Sequence, residues 1–164
     1  LAANEMWSLD FVSDAPFDGR RLRALTVVDA FTQEALAIDV NQDVKGEQVV
    51  EAMARTSSIR GAPKTIPVDN DSEFISKALD RWAYENGVTL DFSRPGKPTD
   101  NAFIEPFNGR LRECLNAHWF LSITDARAKM EAWRRDYNDS RPHTSFGWMT
   151  LVEYAAAAAA KAAE

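Results

Sequence analysis

Apolar and polar positions along this chain fall first into short strand-length runs and then into stretches with the period of a helix. Residues 6–12 (MWSLDFV) form a compact run of strand-forming residues. Pro16 and the Asp18-Gly19 pair mark a hairpin connection over residues 14–19. Residues 22–31 (LRALTVVDAF) and 34–40 (EALAIDV) are two further runs around a tight turn at Thr32-Gln33, so three strands in an antiparallel meander are predicted. From Gly46 to Ile59 the period becomes helical, with Val49, Val50, Met53 and Ala54 on one patch and Gly61 as the stop. Residues 62–69 read as a short fourth strand ending in Asp69. Ser72 is then placed to cap a helix that presents Phe74, Ile75, Leu79, Trp82 and Ala83 and stops at Asn86-Gly87. Residues 88–92 form a fifth strand, and strand–helix–strand at this distance makes strands four and five parallel.

A Pro/Gly loop over residues 93–98 (SRPGKP) leads into an amphipathic helix. Phe103, Phe107, Leu111 and Cys114 form its apolar stripe, and Glu105, Asn108 and Arg112 share the opposite face. A last packing helix is predicted from Thr124, with Ala128, Met130, Ala132, Trp133 and Tyr137 toward the sheet, ending near Asn138-Asp139. Residues 141–148 read as irregular. Residues 155–164 are nearly all Ala, with high helix propensity and little to bury, so the domain is expected over 1–154 with 155–164 as a tail. The expected class is α/β: a five-stranded mixed sheet, antiparallel then parallel, flanked by helices.

Three acids stand out against this frame. Asp10 is a charged residue between Leu9 and Phe11 in the first strand, Asp69 ends the fourth, and Glu105 opens a helix that packs on the same sheet. Taken singly, each has an ordinary reading as a turn, cap or solvated helix residue. Brought together they repel one another, and divalent metal removes that cost. Two Mg²⁺ ions about 3.5–4 Å apart clamp the attacking and leaving oxygens of an in-line phosphoryl displacement.

Composition changes the picture in a few places. The chain has 164 residues, enough for one domain with a hydrophobic core, and no apolar stretch suited to a membrane span. It begins with Leu, as an excised part of a longer polypeptide would, and it shows no basic-then-apolar leader, so a cytoplasmic location is expected. The single Cys114 excludes an intramolecular disulfide and lies on an apolar stripe, where a buried thiol is expected. His118 and His143 lack metal-ligand spacing, and the tryptophans Trp7, Trp82, Trp133 and Trp148 are expected to pack in the core or at its edge. The net charge of −6 argues against a basic coat, yet a carboxylate cluster that awaits metal leaves nucleic acid open as substrate. Arg94 and Lys97 in the loop, with Asn108 and Arg112 on the helix, are candidate phosphate or substrate contacts; a plain solvated surface is the alternative. A second basic group comprises Arg127, Lys129, Arg134, Arg135 and Arg141.

The segments Trp7-Ser8-Leu9-Asp10, Val68-Asp69-Asn70-Asp71-Ser72-Glu73-Phe74, the run from Arg94 to Glu105, Phe107-Asn108-Gly109-Arg110-Leu111, Asp136-Tyr137-Asn138 and Arg141-Pro142-His143 carry a resemblance, as do the 35 residues between Asp69 and Glu105. Over nearly all of residues 5–154 the chain resembles the integrase-type catalytic core of bacterial insertion-sequence transposases, a branch of the retroviral-integrase (DDE) superfamily, and is most similar to the insertion-sequence-three family. The resemblance implies an RNase H-like fold, with Asp10, Asp69 and Glu105 as catalytic metal ligands for two Mg²⁺ ions, Mn²⁺ being a substitute. It implies cleavage and strand transfer of DNA, with transposon ends and target duplex as partners and at least a dimer in the full-length protein. Asp71 stands where the family has Gly, Pro106 where it has Ser, and Leu151 where it has Pro. The segment Leu111–Leu115 is one residue shorter than the family's, which predicts a rotation of about 100° for the residues after it. A catalytically degraded core that binds DNA or protein is the alternative reading.

Overall fold

The computed structural model describes residues 2–17, 20–68, 77–92 and 104–164. Strands β1 (Trp7–Phe17), β2 (Arg20–Asp29) and β3 (Ala35–Asn41) form the predicted antiparallel meander in spatial order β1-β2-β3. The predicted hairpin turn at Asp18-Gly19 lies outside the described residues. β4 (Thr65–Pro67) and β5 (Thr89–Asp91) pair in parallel, as the strand–helix–strand reading requires. The two ladders meet at one parallel bridge, Met6 to Thr65, where the Thr65 N–H donates to the Glu5 carbonyl at 3.0 Å. The expected five-stranded sheet is therefore a three-stranded and a two-stranded ladder in contact. β4 is three residues long and includes Pro67, which has no N–H to extend the pairing.

Side-chain alternation along β1 divides the core. Trp7, Leu9 and Phe11 pack with α1 (Gly46–Arg60) and α2 (Lys77–Glu85), through Val49, Ala52, Met53, Leu79, Trp82 and Ala83. Ser8, Asp10 and Val12 belong to the other face by the strand's period of two. On that face Val12 packs with α3 (Ile104–Ala117), α4 (Ile123–Asp139) and α5 (Leu151–Ala162). Asp10 is thus a polar position on one face of a strand buried on both, which explains a charge between two apolar neighbours.

Several local expectations change. The cap of α4 is Ser122, whose hydroxyl accepts the Asp125 N–H at 3.0 Å, so the helix starts before Thr124. Met130 and Tyr137 are buried as expected, while Ala128 and Ala132 face solvent and Ala126 and Asn138 are buried in their place. The 141–148 segment holds a single 3₁₀ turn, Thr144–Phe146. α5 runs continuously from Leu151 through Ala162 behind a Thr150–Glu153 capping box, so the Ala-rich tail continues an anchored helix. Trp7 and Trp82 are core residues as expected, while Trp148 is 70% exposed with a left-handed φ of 67°.

Buried polar groups tie the elements together. Asn138 on α4 closes two bonds on Ala35 of β3: its Oδ1 accepts the Ala35 N–H at 2.8 Å and its Nδ2 donates to the Ala35 carbonyl at 2.8 Å. The Arg127 Nε donates to the Val40 carbonyl at 3.0 Å, so α4 covers the edge of β3 at both ends. Asp29, fully buried, accepts the N–H groups of Asn4, Phe31 and Thr32. Buried Glu34 is bound in a two-pronged pair by Arg60, with N–O distances of 2.8 and 3.0 Å. That contact holds the Arg60 guanidinium above its ordinary range despite burial.

Candidate active site

Asp10 sits in the regular part of β1, opposite Thr26 of β2 and before the register shift that lies between Val12 and Ala15. Its Oδ1 accepts the Phe11 N–H at 2.8 Å, and its backbone carbonyl accepts the buried Thr26 hydroxyl at 3.3 Å. Its Oδ2 accepts the Nδ2–H of Asn108 at 2.5 Å. That bond docks the polar face of α3 on the strand. α3 is fixed in rotation by Ile104, Phe107, Leu111 and Leu115, all buried in the core, with Phe107 in ring contact with Trp133 and Tyr137.

With the core side of α3 fixed, Asn108 falls at the edge of the buried face and Glu105, one turn earlier, in solvent. Arg112, one turn later, is exposed on the same side and has contacts of its own. Glu105 and Asp10 are thereby brought to one side of β1. Asp69, Arg94 and Lys97 lie outside the described residues. Among the described residues no group of three carboxylate, imidazole or thiol side chains can hold a metal ion.

Asn108 is 5% exposed, and its side-chain nitrogen donates to Asp10. The sequence reading takes it as a DNA contact; the structure places it under Asp10, where its partner is the carboxylate. Among the described residues its buried Oδ1 has no hydrogen-bond partner, and neither has the hydroxyl of Ser8, two residues before Asp10 on the same face of β1. Buried polar atoms of this kind are rare and call for an explanation. The orphaned Asn108 oxygen belongs to the amide that touches the Asp10 carboxylate, and oxygen donors of these two kinds suit a hard divalent cation and its water shell.

Pro106 is the third residue of α3, counted from Ile104, the first described residue of the helix. In a helix that begins there it falls in the first turn, where N–H groups lack an intrahelical acceptor. α3 also runs unbroken through Leu111–Leu115, with Leu115 buried and Cys114 half-buried, so the expected rotation does not disturb the apolar stripe. Burial raises the Cys114 thiol above its ordinary value, against a role as nucleophile. Leu151 is the first residue of α5, a position where Pro is also favoured.

The second basic group is largely spent within the protein. Lys129 pairs with Asp125, Arg134 and Arg135 with Glu131, and Arg141 with Asp136. The motif Asp136-Tyr137-Asn138 is accounted for by packing: an ion pair, a ring in the α3–α4 cluster and the clamp on Ala35. Sequence spacing offered no signal for the ring cluster or the clamp, since their partners lie in different elements.

Residues 1–98 match a family model described as the integrase core domain, and residues 86–150 match a second model of the same description. The insertion element IS407 uncharacterized 31.7 kDa protein of Burkholderia multivorans is 52% identical over 156 residues, covering 94% of this chain and 56% of that protein. The insertion element IS476 uncharacterized 39.2 kDa protein of Xanthomonas euvesicatoria is 44% identical over 154 residues, covering 93% of this chain and 44% of its own length. The chain thus spans about half the length of these relatives. Among solved structures, the catalytic core domain of HTLV-2 integrase in complex with magnesium superposes with a TM-score of 0.76 at 15% identity, covering 94% of this chain and 98% of that one. The catalytic core domain of BIV integrase gives 0.74 at 15% identity, covering 98% and 99%. At that identity the likeness establishes the fold, which is the RNase H-like α/β fold of retroviral integrase cores. Taken with the insertion-element relatives, the two family matches establish that this chain belongs to the integrase core domain family, in its bacterial insertion-element branch.

Proposed function

We propose that the chain is the catalytic core of a transposase that cleaves DNA and joins the freed 3′ end to a new duplex, with Asp10, Asp69 and Glu105 as the metal-holding acids. The observation that carries this is the Asn108–Asp10 hydrogen bond, because it brings the Glu105 face of α3 to the strand that bears Asp10. The 35-residue interval between Asp69 and Glu105 supports the third member of the set. When bound, two Mg²⁺ ions supply activation of the attacking oxygen and stabilisation of the leaving one.

This chain's own residues provide the frame. β1 and β2 hold the Asp10 backbone, Asn108 holds one carboxylate oxygen, and the Phe11 N–H holds the other. Water is the nucleophile for cleavage and a DNA 3′-OH for joining. Arg94, Lys97 and Arg112 are read as contacts to DNA phosphates, which position the strand without reading its sequence. Asn108 serves as a positioning residue for Asp10. The HTLV-2 structure was solved in dimeric and trimeric forms, and the reading includes at least a dimer for the full-length protein, which must hold two DNA ends.

Asp10→Asn, Asp69→Asn and Glu105→Gln test it. On a pre-nicked donor end with Mg²⁺ or Mn²⁺, the wild type is expected to yield joined product, and each variant none, with unfolding transitions unchanged. Joining retained in any one variant overturns the assignment of that acid. Cleavage without joining identifies a hydrolytic nuclease of the ribonuclease H type instead. Absence of Mn²⁺ binding by calorimetry in the wild type identifies a degraded core.

A further inference from the structure

Two asparagines of this chain precede a glycine, in Asn86-Gly87 and Asn108-Gly109, and the fold treats the two pairs in opposite ways. An Asn–Gly step is prone to cyclise, because a following residue without a side chain lets its backbone nitrogen approach the amide carbon. The backbone around each pair decides how often that approach occurs.

Asn86 stands exposed just past the C-terminal end of α2, and Gly87 follows it in the left-handed region with φ 68°. The helix is closed there by bonds that span the pair. The Val88 N–H donates to the Ala83 carbonyl at 2.8 Å, and the Asn86 N–H to the Trp82 carbonyl at 3.1 Å. The Gly87 N–H is held by a long bond, 3.4 Å to the Tyr84 carbonyl. A side chain built on Gly87 would meet nothing within 4 Å, so its peptide has room to turn. The Asn86 side chain folds back over the last turn, where its Nδ2–H donates to the Trp82 carbonyl at 2.8 Å. Releasing it takes a local opening at a helix end, where opening is easiest.

Asn108 is the contrary case. It is buried within α3, its Nδ2–H donates to Asp10 at 2.5 Å, and the Gly109 nitrogen belongs to the same helix. Cyclisation there requires α3 to unwind and the amide to leave a carboxylate in one event.

We propose that Asn86 is a site of spontaneous deamidation, and that the same fold shields Asn108, the partner of Asp10. The Gly87 nitrogen bonds to Cγ of Asn86 and gives up its proton, while the Cγ–Nδ2 bond breaks and ammonia leaves. Water then opens the cyclic imide at either carbonyl, which yields aspartate or isoaspartate. Water is the co-reactant, and nothing is oxidised or reduced. A carboxylate cannot donate to the Trp82 carbonyl, and at position 86 it sits at the negative end of the α2 dipole. Isoaspartate also lengthens the main chain inside the stretch that the Ala83–Val88 bond closes. Because α2 brings Leu79, Trp82 and Ala83 to the core, the modification loosens the packing between α2 and β5. None of this depends on the catalytic reading.

The test is incubation of the folded chain at mildly alkaline pH, followed by peptide mapping with mass spectrometry and enzymatic labelling of isoaspartate. Conversion is expected at position 86 several times faster than at position 108. In urea, where both pairs are unfolded, the two rates are expected to converge. Asn86→Gln is expected to abolish the isoaspartate signal of the folded protein. Asn86→Asp, which copies one product, is expected to lower the melting temperature. Position 86 left intact in the folded chain, or equal conversion at both positions, overturns the proposal. So does a rate ratio in urea as large as in the folded chain, since sequence neighbours would then account for it. A melting temperature unchanged in Asn86→Asp overturns the loosening of α2.

Discussion

The Nδ2–H of Asn108 donates to Oδ2 of Asp10 at 2.5 Å, while the Oδ1 of the same buried amide has no partner among the described residues. One half of the amide is satisfied by a strand 98 residues away in sequence, and the other half has no partner among the described residues. This asymmetry separates what Asn108 does for stability from what it does for the site.

Asn108→Leu removes both halves at once. A bond to a charged group contributes about 1.5–3 kcal/mol, and an unsatisfied buried oxygen costs about 1–3 kcal/mol. The two nearly offset, so stability by urea denaturation is expected to change by less than about 1 kcal/mol. Mn²⁺ affinity by calorimetry is expected to drop, because Asp10 loses its orientation. Unchanged Mn²⁺ affinity would remove Asn108 from the site.

Asn138→Ala breaks two buried bonds to Ala35. The Arg134 guanidinium still reaches the Ala35 carbonyl at 3.0 Å, so the main loss is at the N–H. A loss of about 2 kcal/mol is expected, with faster hydrogen exchange at the Ala35 amide. An exchange rate equal to wild type would show that β3 does not depend on this clamp.

Pro106→Ser introduces the residue that the resemblance to insertion-sequence transposases leads one to expect at this position. The exposed first-turn site predicts a stability change within about 0.5 kcal/mol. The joining rate is expected to stay near wild type, since Pro106 is the third residue of α3 as it runs from Ile104. A large gain in rate would show that Pro106 had damaged the site, as the degraded-core reading requires.

His143 is held below the usual histidine value, first by burial. Its bond to the Tyr137 carbonyl opposes that shift, and the charges of Arg110 and Arg141 reinforce it. A depressed histidine contributes stability that is full above its unfolded value, about 6.5, and is lost as pH falls through the folded one. The melting temperature of the wild type is therefore expected to fall below about pH 6.5, before the carboxylates titrate. His143→Gln should flatten that part of the curve, and a parallel fall in both proteins would assign it elsewhere.

Much of the architecture was legible from local pattern. Apolar runs of strand length around Thr32-Gln33 and the helical period from Gly46 foretold β2, β3 and α1 closely, because turn chemistry and amphipathic period are local properties. The start of α4 was not, since Ser122 and Thr124 are both good caps and the choice depends on what Ile123 packs against. Among the candidate site residues, Glu105 could be placed on a helix face, but spacing cannot tell that Asn108 lies under Asp10.

By itself, then, the sequence determined the order and type of the elements, the two faces of α3 and the acids available for chemistry. Tertiary structure alone decided the rest. The rotation of α3, set by Ile104, Phe107, Leu111 and Leu115 in the core, turned Asn108 onto Asp10 and left Arg110 over a cavity built from three other elements. The pairing of the α4 cations is partly local, but the clamp of Asn138 on Ala35 spans 103 residues. Contacts at such separation depend on how whole elements pack, and a periodicity read along the chain carries no information about which residues face each other across it.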